Sequence, residues 1–208
     1  MKSLKMLGLV VAATAALAAS LGAVSASATV LCSENKIPCP ESKIYAAGAT
    51  VSAGLEAKGS SIFRETGGTV LNTCTSSSIA GSTSNQGKEK EAVKGAISTF
   101  DLTECSNATA VTEAGSFEIE YIPVENTTVA NLTFKGTKVT ITPFGVIDCI
   151  YGAGTGAFIG TMTGGKPAVI HVKATLAKVG GSALCPADVV WEAPYEINAP
   201  FPVYFKEQ

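Results

Sequence analysis

The chain has 208 residues, of which 46% are hydrophobic and only 15% are charged. Its 15 Lys and Arg residues against 17 Asp and Glu residues give a net charge of −2, which leaves no basic excess to neutralise nucleic-acid phosphates. The apolar content excludes a disordered acidic chain, and the single His argues against a zinc site.

The first 28 residues are typical of an export signal. A short start with two lysines precedes an Ala-rich stretch without charge over residues 6–24. Small residues then fit a signal peptidase site, with cleavage predicted after Ala28 and a second site after Ala26. The alternative is a retained membrane anchor, since the stretch is just long enough to span a bilayer. We favour cleavage, because the many small and hydroxyl-bearing residues weaken insertion, and then expect no stable membrane anchor.

Beyond the signal, the sequence predicts an N-terminal strap over residues 29–43 and a single β domain over residues 44–208. The strap contains two prolines beside a cysteine. The remaining length is enough to bury one sizeable core.

Hydrophobic residues along the domain recur with a period of two, which is typical of strands with one face in water. In the last long segment the alternation places Trp191 on the core face, with Glu192 and Glu196 opposite. Strands are predicted near residues 45–56, 68–74, 92–104, 117–121, 128–134, 139–142, 146–151, 157–163, 170–176, 189–197 and 201–205. Such a series with little helix apart from the signal peptide favours an antiparallel β-sandwich or a jelly-roll-like barrel.

Glycine-containing pairs mark turns between these strands. They are Gly67-Gly68, Lys135-Gly136, Gly164-Gly165 and Gly180-Gly181. The small polar residues over 76–91 predict an exposed loop or a long hairpin tip.

Six cysteines follow the signal, and an even number in an exported chain favours disulfides. Fifteen pairings are open to six cysteines, with free buried thiols as the alternative. The spacing favours disulfides between cysteines that are neighbours along the chain. A redox site is disfavoured because no C-x-x-C motif occurs. The predicted pairs are Cys32 with Cys39, Cys74 with Cys105, and Cys149 with Cys185.

Several segments together resemble a family of exported, β-rich, disulfide-containing proteins from actinobacteria. They are residues 70–75, 81–85, 102–105, 151–165 and 184–191. These segments are turn and cysteine signatures, so the resemblance implies export, β-structure and paired cysteines, and it implies no activity.

Glu118 and Glu120 are the best candidates for catalysis. Residues i and i+2 on a strand share a face, and paired carboxylates on a concave sheet are the machinery of many glycosidases. A further carboxylate, from Glu192 or Glu196, would have to reach the other side of the scissile bond. Sugar clefts also present aromatic platforms, whereas the only tryptophan falls on the predicted core face.

The other motifs are weaker indications of function. The segment 160–166 matches a phosphate-binding loop except for Pro167 at its last position, and strand-like residues follow it where a helix is needed, so it predicts a glycine-rich hairpin. His171 lies on a polar strand face without a sequence partner and is predicted to be solvated. Three isolated aspartates do not form a calcium loop. We therefore predict no cofactor and no metal.

The sequence thus predicts a secreted or cell-envelope protein with a non-catalytic binding or structural role. Its partner is undefined, with a cell-wall or other extracellular ligand expected and nucleic acid excluded. The alternative is a secreted polysaccharide hydrolase that uses Glu118 and Glu120.

Overall fold

A computed structural model of the chain describes residues 28–88, 90–123 and 127–208. The predicted export signal, residues 1–28, lies outside these described residues except for Ala28. The all-β fold class predicted from the sequence is confirmed, since the described elements are strands and two short 3-10 helices, Glu41–Lys43 and Pro143–Gly145.

Fourteen strands are described, and every pairing between them is antiparallel. They are β1 (Thr29–Cys32), β2 (Thr50–Leu55), β3 (Ser61–Arg64), β4 (Val70–Thr83), β5 (Val93–Cys105), β6 (Ala108–Glu113), β7 (Ser116–Tyr121), β8 (Val129–Lys135), β9 (Lys138–Thr142), β10 (Cys149–Gly152), β11 (Ala157–Thr163), β12 (Ala168–Gly181), β13 (Asp188–Ala199) and β14 (Tyr204–Glu207).

Four long strands, β4, β5, β12 and β13, run through two tiers of one barrel. In the lower tier the ladder continues from β5 through β7, β8 and β11 to β12. Strand β2 then bridges β13 and β4, so hydrogen bonds close the ring. The lower tier is therefore a closed eight-stranded barrel.

The upper tier uses a different set of short strands between the same long ones. Here β12 pairs with β10, β10 with β9, and β9 with β6. On the other side β3 bridges β13 and β4, so β2 and β3 share one position in the barrel at different heights. Strand β6 lies alongside β5 without a described ladder between them.

The core sits inside the barrel because alternate residues of each strand point inward. Trp191 is buried, as predicted, and packs near the rings of Phe63, Phe100 and Phe134. Its indole Nε1 donates a hydrogen bond to the hydroxyl of buried Ser61 at 2.8 Å. The one indole N–H is thus satisfied, as burial requires.

A second buried polar contact joins β13 to β4. The hydroxyls of Tyr195 and Ser77 lie 2.7 Å apart, and the Ser77 hydroxyl also donates to the backbone carbonyl of Asp101 at 2.8 Å. Tyr195 is fully buried, and this burial raises the pKa of its phenol well above the ordinary value, while the serine contacts oppose the rise.

The first and last strands form a separate two-stranded sheet at the lower end of the barrel. Strand β1 pairs with β14, and Leu31 and Phe205 bury their side chains in the main core. The Thr29 N–H donates to the Glu91 carbonyl at 3.0 Å, and the Thr29 hydroxyl accepts from the Tyr121 N–H at 2.7 Å. Both chain ends of the described domain are therefore tied to the barrel wall.

All three predicted disulfides are confirmed. The Cα atoms are 6.0 Å apart in Cys32–Cys39, 3.9 Å in Cys74–Cys105 and 5.6 Å in Cys149–Cys185. Cys74 and Cys105 are directly paired residues of β4 and β5. Each bond therefore joins segments that are close along the chain, which is why sequence spacing identified them.

Some predicted boundaries are wrong. Residues 76–83 continue strand β4, because they pair with both β5 and β2, and only the tip of this hairpin is a loop. Gly180-Gly181 also lies within a strand, since Gly181 pairs with Cys149. Strands β1, β3 and β6 were not predicted, and each is only four to six residues long; β1 lies within the predicted strap.

Candidate binding surface

The predicted catalytic pair lies on the outer wall of the barrel. Glu118 and Glu120 share the outward face of β7, whose alternate residues are buried. The Glu118 carboxylate forms an ion pair with Lys135 and faces Lys94 across the β5 ladder. The outer wall of a closed barrel is convex, so this face does not form the concave site that the hydrolase hypothesis needs.

The second pair of carboxylates lies on the opposite side of the barrel. Glu192 and Glu196 belong to β13, and three strands separate β13 from β7 in either direction around the lower tier. Glu192 forms a 2.9 Å ion pair with Arg64. The structure therefore does not bring these two pairs together. The hydrolase alternative remains a prediction, and neither Glu192 nor Glu196 supplies the further carboxylate that it needs.

The other motifs lie in ordinary strand settings. His171 is exposed on the outer face of β12, as predicted. Residues 160–166 belong to the β11–β12 hairpin, as the glycine-rich segment predicted. Within the described part of the chain, no three His, Cys, Asp or Glu side chains group together as metal ligands would.

The barrel interior holds an apolar cavity of about 30 Å³. Its lining includes Ala53, Phe117, Leu132, Met162 and Ile170, from five different strands. Small-molecule sites are usually clefts of about 300–1,000 Å³, so the interior is a packed core with a small void.

Functional groups gather instead at the upper end of the barrel. Four connections meet there, and we call them together the loop end: residues 65–69, 106–107, 143–148 and 182–187. Asn107 bonds to Asn72 at the start of β4, and the Thr66 hydroxyl donates to the Asp188 carboxylate at the start of β13.

The 143–148 and 182–187 loops are clamped together, and we call the contacts between them the clamp. The Cys149–Cys185 disulfide joins the base of the first loop to the middle of the second, and the Ser182 N–H donates to the Asp148 carbonyl at 2.9 Å. Asp148 also accepts a 2.8 Å hydrogen bond from the Thr142 hydroxyl through its carboxylate. The ammonium of Lys178 donates to the backbone carbonyls of Ser182 and Cys185 at 3.4 and 3.1 Å. The clamp fixes the two tips relative to each other.

The clamped loops expose large apolar side chains. Val146 is 77% exposed and Leu184 is 79% exposed, the two highest values among large hydrophobic residues of the described chain. Val70 at the start of β4 and Val179 near the end of β12 are about half exposed. The other exposed large apolar residues lie elsewhere. They are Ile37, Phe158 and Phe201.

Acidic side chains surround a buried phenol under the 182–187 loop. Tyr151 is fully buried, and its hydroxyl donates to the Pro186 carbonyl at 3.5 Å. Burial, with the nearby carboxylates of Glu65 and Asp188, raises the pKa of Tyr151 to about 12. The phenol therefore stays neutral above pH 10, where an exposed tyrosine ionises, and it supports the loop from below.

Sequence reasoning did not identify the loop end. The available signals were apolar residues inside turn segments, such as Val146 after Gly145 and Leu184 beside a cysteine. Periodicity does not distinguish such residues from core residues, because the exposed fraction depends on how distant loops are arranged.

No protein-family model, curated protein or solved structure matches the chain. Among the described residues, no helix has the length and apolar character needed to cross a bilayer.

Proposed function

We propose that the protein is an exported binding protein without catalytic activity and that its ligand contacts the loop end. The observation that carries this proposal is the exposure of Val146 and Leu184 on two loops held by a disulfide. Exposed apolar side chains that cluster, with polar groups around them, are typical of interaction sites.

The clamp supports a binding role because it lowers the entropic cost of association. A loop that is already fixed in its bound shape loses less conformational freedom when a partner docks. The disulfide, the Ser182–Asp148 hydrogen bond and the Lys178 contacts all act on these two loops. The closed barrel beneath them provides the rigid support that binding loops generally require.

Three disulfides are typical of proteins that work in an oxidising, extracellular environment. Together with the predicted export signal, they support secretion or attachment to the cell envelope. A cell-wall or other extracellular ligand is consistent with that location.

The test compares two matched double variants. In the loop-end variant, Val146→Ser and Leu184→Ser remove the exposed apolar tips. In the control, Ile37→Ser and Phe201→Ser remove two similarly exposed apolar side chains elsewhere, 61% and 60% exposed. The immobilised oxidised protein is incubated with culture medium and cell-wall fractions of the producing organism, and retained molecules are quantified by mass spectrometry.

We expect a specific set of molecules that the unmodified protein retains to be retained by the control variant as well, but not by the loop-end variant. Retention that is equal for both variants would refute a binding role of the loop end. Circular dichroism on both variants checks that the barrel is intact.

A further inference from the structure

We propose that the ligand of the loop end is a polypeptide segment that carries basic and apolar side chains together. This inference rests on the proposed binding role of the loop end and adds the chemistry of the partner. It follows from the charges that surround the apolar tips.

Three carboxylates lie at or directly beside the loop end. Glu65 lies in the first loop and Asp188 directly follows the last, where it accepts a hydrogen bond from Thr66. Asp148 is exposed only two residues from Val146.

The basic groups nearby are already engaged. The guanidinium of Arg64 forms its ion pair with Glu192 on the barrel wall. The ammonium of Lys178 points at the loop carbonyls of Ser182 and Cys185. The ion pair cancels the charge of Arg64, and the single positive charge of Lys178 does not offset the three carboxylates, so the surface around the apolar tips is net negative.

A negative surface around apolar tips selects for one kind of partner. Complementary charges steer association and disfavour partners of like charge. An anionic bilayer or an anionic wall polymer would be repelled, whereas lysine or arginine side chains would be attracted over a Debye length of about 8 Å at physiological salt. Apolar side chains of the same segment would cover Val146 and Leu184.

The test uses three synthetic peptides of equal length, built from Lys and Leu, from Glu and Leu, and from Lys and Ser. Binding to the oxidised protein is measured by isothermal titration calorimetry at two salt concentrations. We expect the Lys–Leu peptide to bind at least roughly tenfold more tightly than either of the others, a difference of about 1.4 kcal/mol. Its affinity should fall as salt is raised.

Two sets of variants localise the binding. Glu65→Gln with Asp148→Asn removes two loop-end charges and keeps an oxygen as the acceptor for Thr142. This change should lower the affinity of the protein for the Lys–Leu peptide about threefold to tenfold. Its matched control, Glu118→Gln with Glu120→Gln, removes two charges from the wall of the lower tier and should leave the affinity unchanged.

The outcomes separate this inference from the proposed function. Equal binding of the Lys–Leu and Glu–Leu peptides, or equal weakening by the two charge-removing variants, would overturn the inference. So would binding of the protein to phosphatidylglycerol vesicles through Val146 and Leu184. In that case the capture experiment decides on the binding role separately. If the Val146→Ser and Leu184→Ser variant fails to retain the molecules that the control retains, the binding role stands and only the proposed partner chemistry is refuted.

Discussion

Replacing Tyr195 with Phe should change both the size of the free energy of unfolding and its dependence on pH. The substitution keeps the ring in the core, 6.4 Å from the Trp191 ring centroid, and removes only the hydroxyl. Ser77 retains the Asp101 carbonyl as an acceptor, so its own hydroxyl is not left unsatisfied. We therefore expect a cost near that of one ordinary hydrogen bond, about 1 kcal/mol at pH 7.

The pH dependence follows from the buried phenol. Burial raises the pKa of folded Tyr195 far above the unfolded value of about 10, so the unfolded chain loses this proton first. The contribution of the protonated phenol is fully present below about pH 10 and is lost as the pH rises, by about 1.4 kcal/mol on reaching pH 11. The advantage of the wild type over Tyr195→Phe should then vanish, or reverse, close to pH 11.

Urea unfolding followed by circular dichroism between pH 7 and 11 measures both effects. The comparison between variants cancels the titration of groups that both share. Ser77→Ala is the control, since it keeps the buried phenol and should keep the alkaline loss of stability. If the free energies of wild type and Tyr195→Phe differ by a constant amount over this range, the phenol is not held neutral by the fold and the reasoning is refuted.

Three further substitutions test the disulfide clamp, the packing and the outer wall. Cys149→Ala with Cys185→Ala opens a loop with a sequence separation of 36, and the loop-entropy relation gives a cost of about 4 kcal/mol in urea unfolding; a cost below about 1 kcal/mol would contradict it. Gly95→Ala places a Cβ 2.2 Å from Cζ of Phe117 and 2.4 Å from the carbonyl oxygen of Ser82, and it should lower the free energy of unfolding by about 1–3 kcal/mol; an unchanged midpoint in thermal unfolding would show that both the ring and the backbone adjust freely. Glu118→Gln removes a partly exposed ion pair, so thermal unfolding should show a loss of under about 1 kcal/mol, and a larger loss would indicate an unrecognised structural role.

The sequence predicted most strands because the barrel has a clear inside and outside. Strand β7 shows this best, since Phe117, Ile119 and Tyr121 point inward and alternate with partly exposed residues. The disulfides were predictable for a related reason. Cys74 and Cys105 lie on neighbouring strands of one hairpin, so closeness along the chain translated into closeness in space.

The features that were not predicted from the sequence depend on pairing between strands that lie far apart along the chain. Residues 76–83 carry small polar side chains typical of loops, yet two neighbouring strands hold them extended. Ring closure likewise requires β13 to pair with β2, which lies far away along the chain.

The candidate surfaces depended on the same long-range geometry. The separation of Glu118 from Glu192 follows from the positions of β7 and β13 in the ring. The exposure of Val146 and Leu184 follows from the way separate loops meet at the upper end of the barrel.

The sharing of one barrel position by β2 and β3 has a consequence for how such a protein can change. The lower tier closes through β2 without help from β3, so its ring does not depend on the loops above it. Residues at the loop end can therefore vary in length and chemistry while the lower ring keeps its hydrogen bonds. The same scaffold could carry loops of different length and chemistry at its upper end in different proteins.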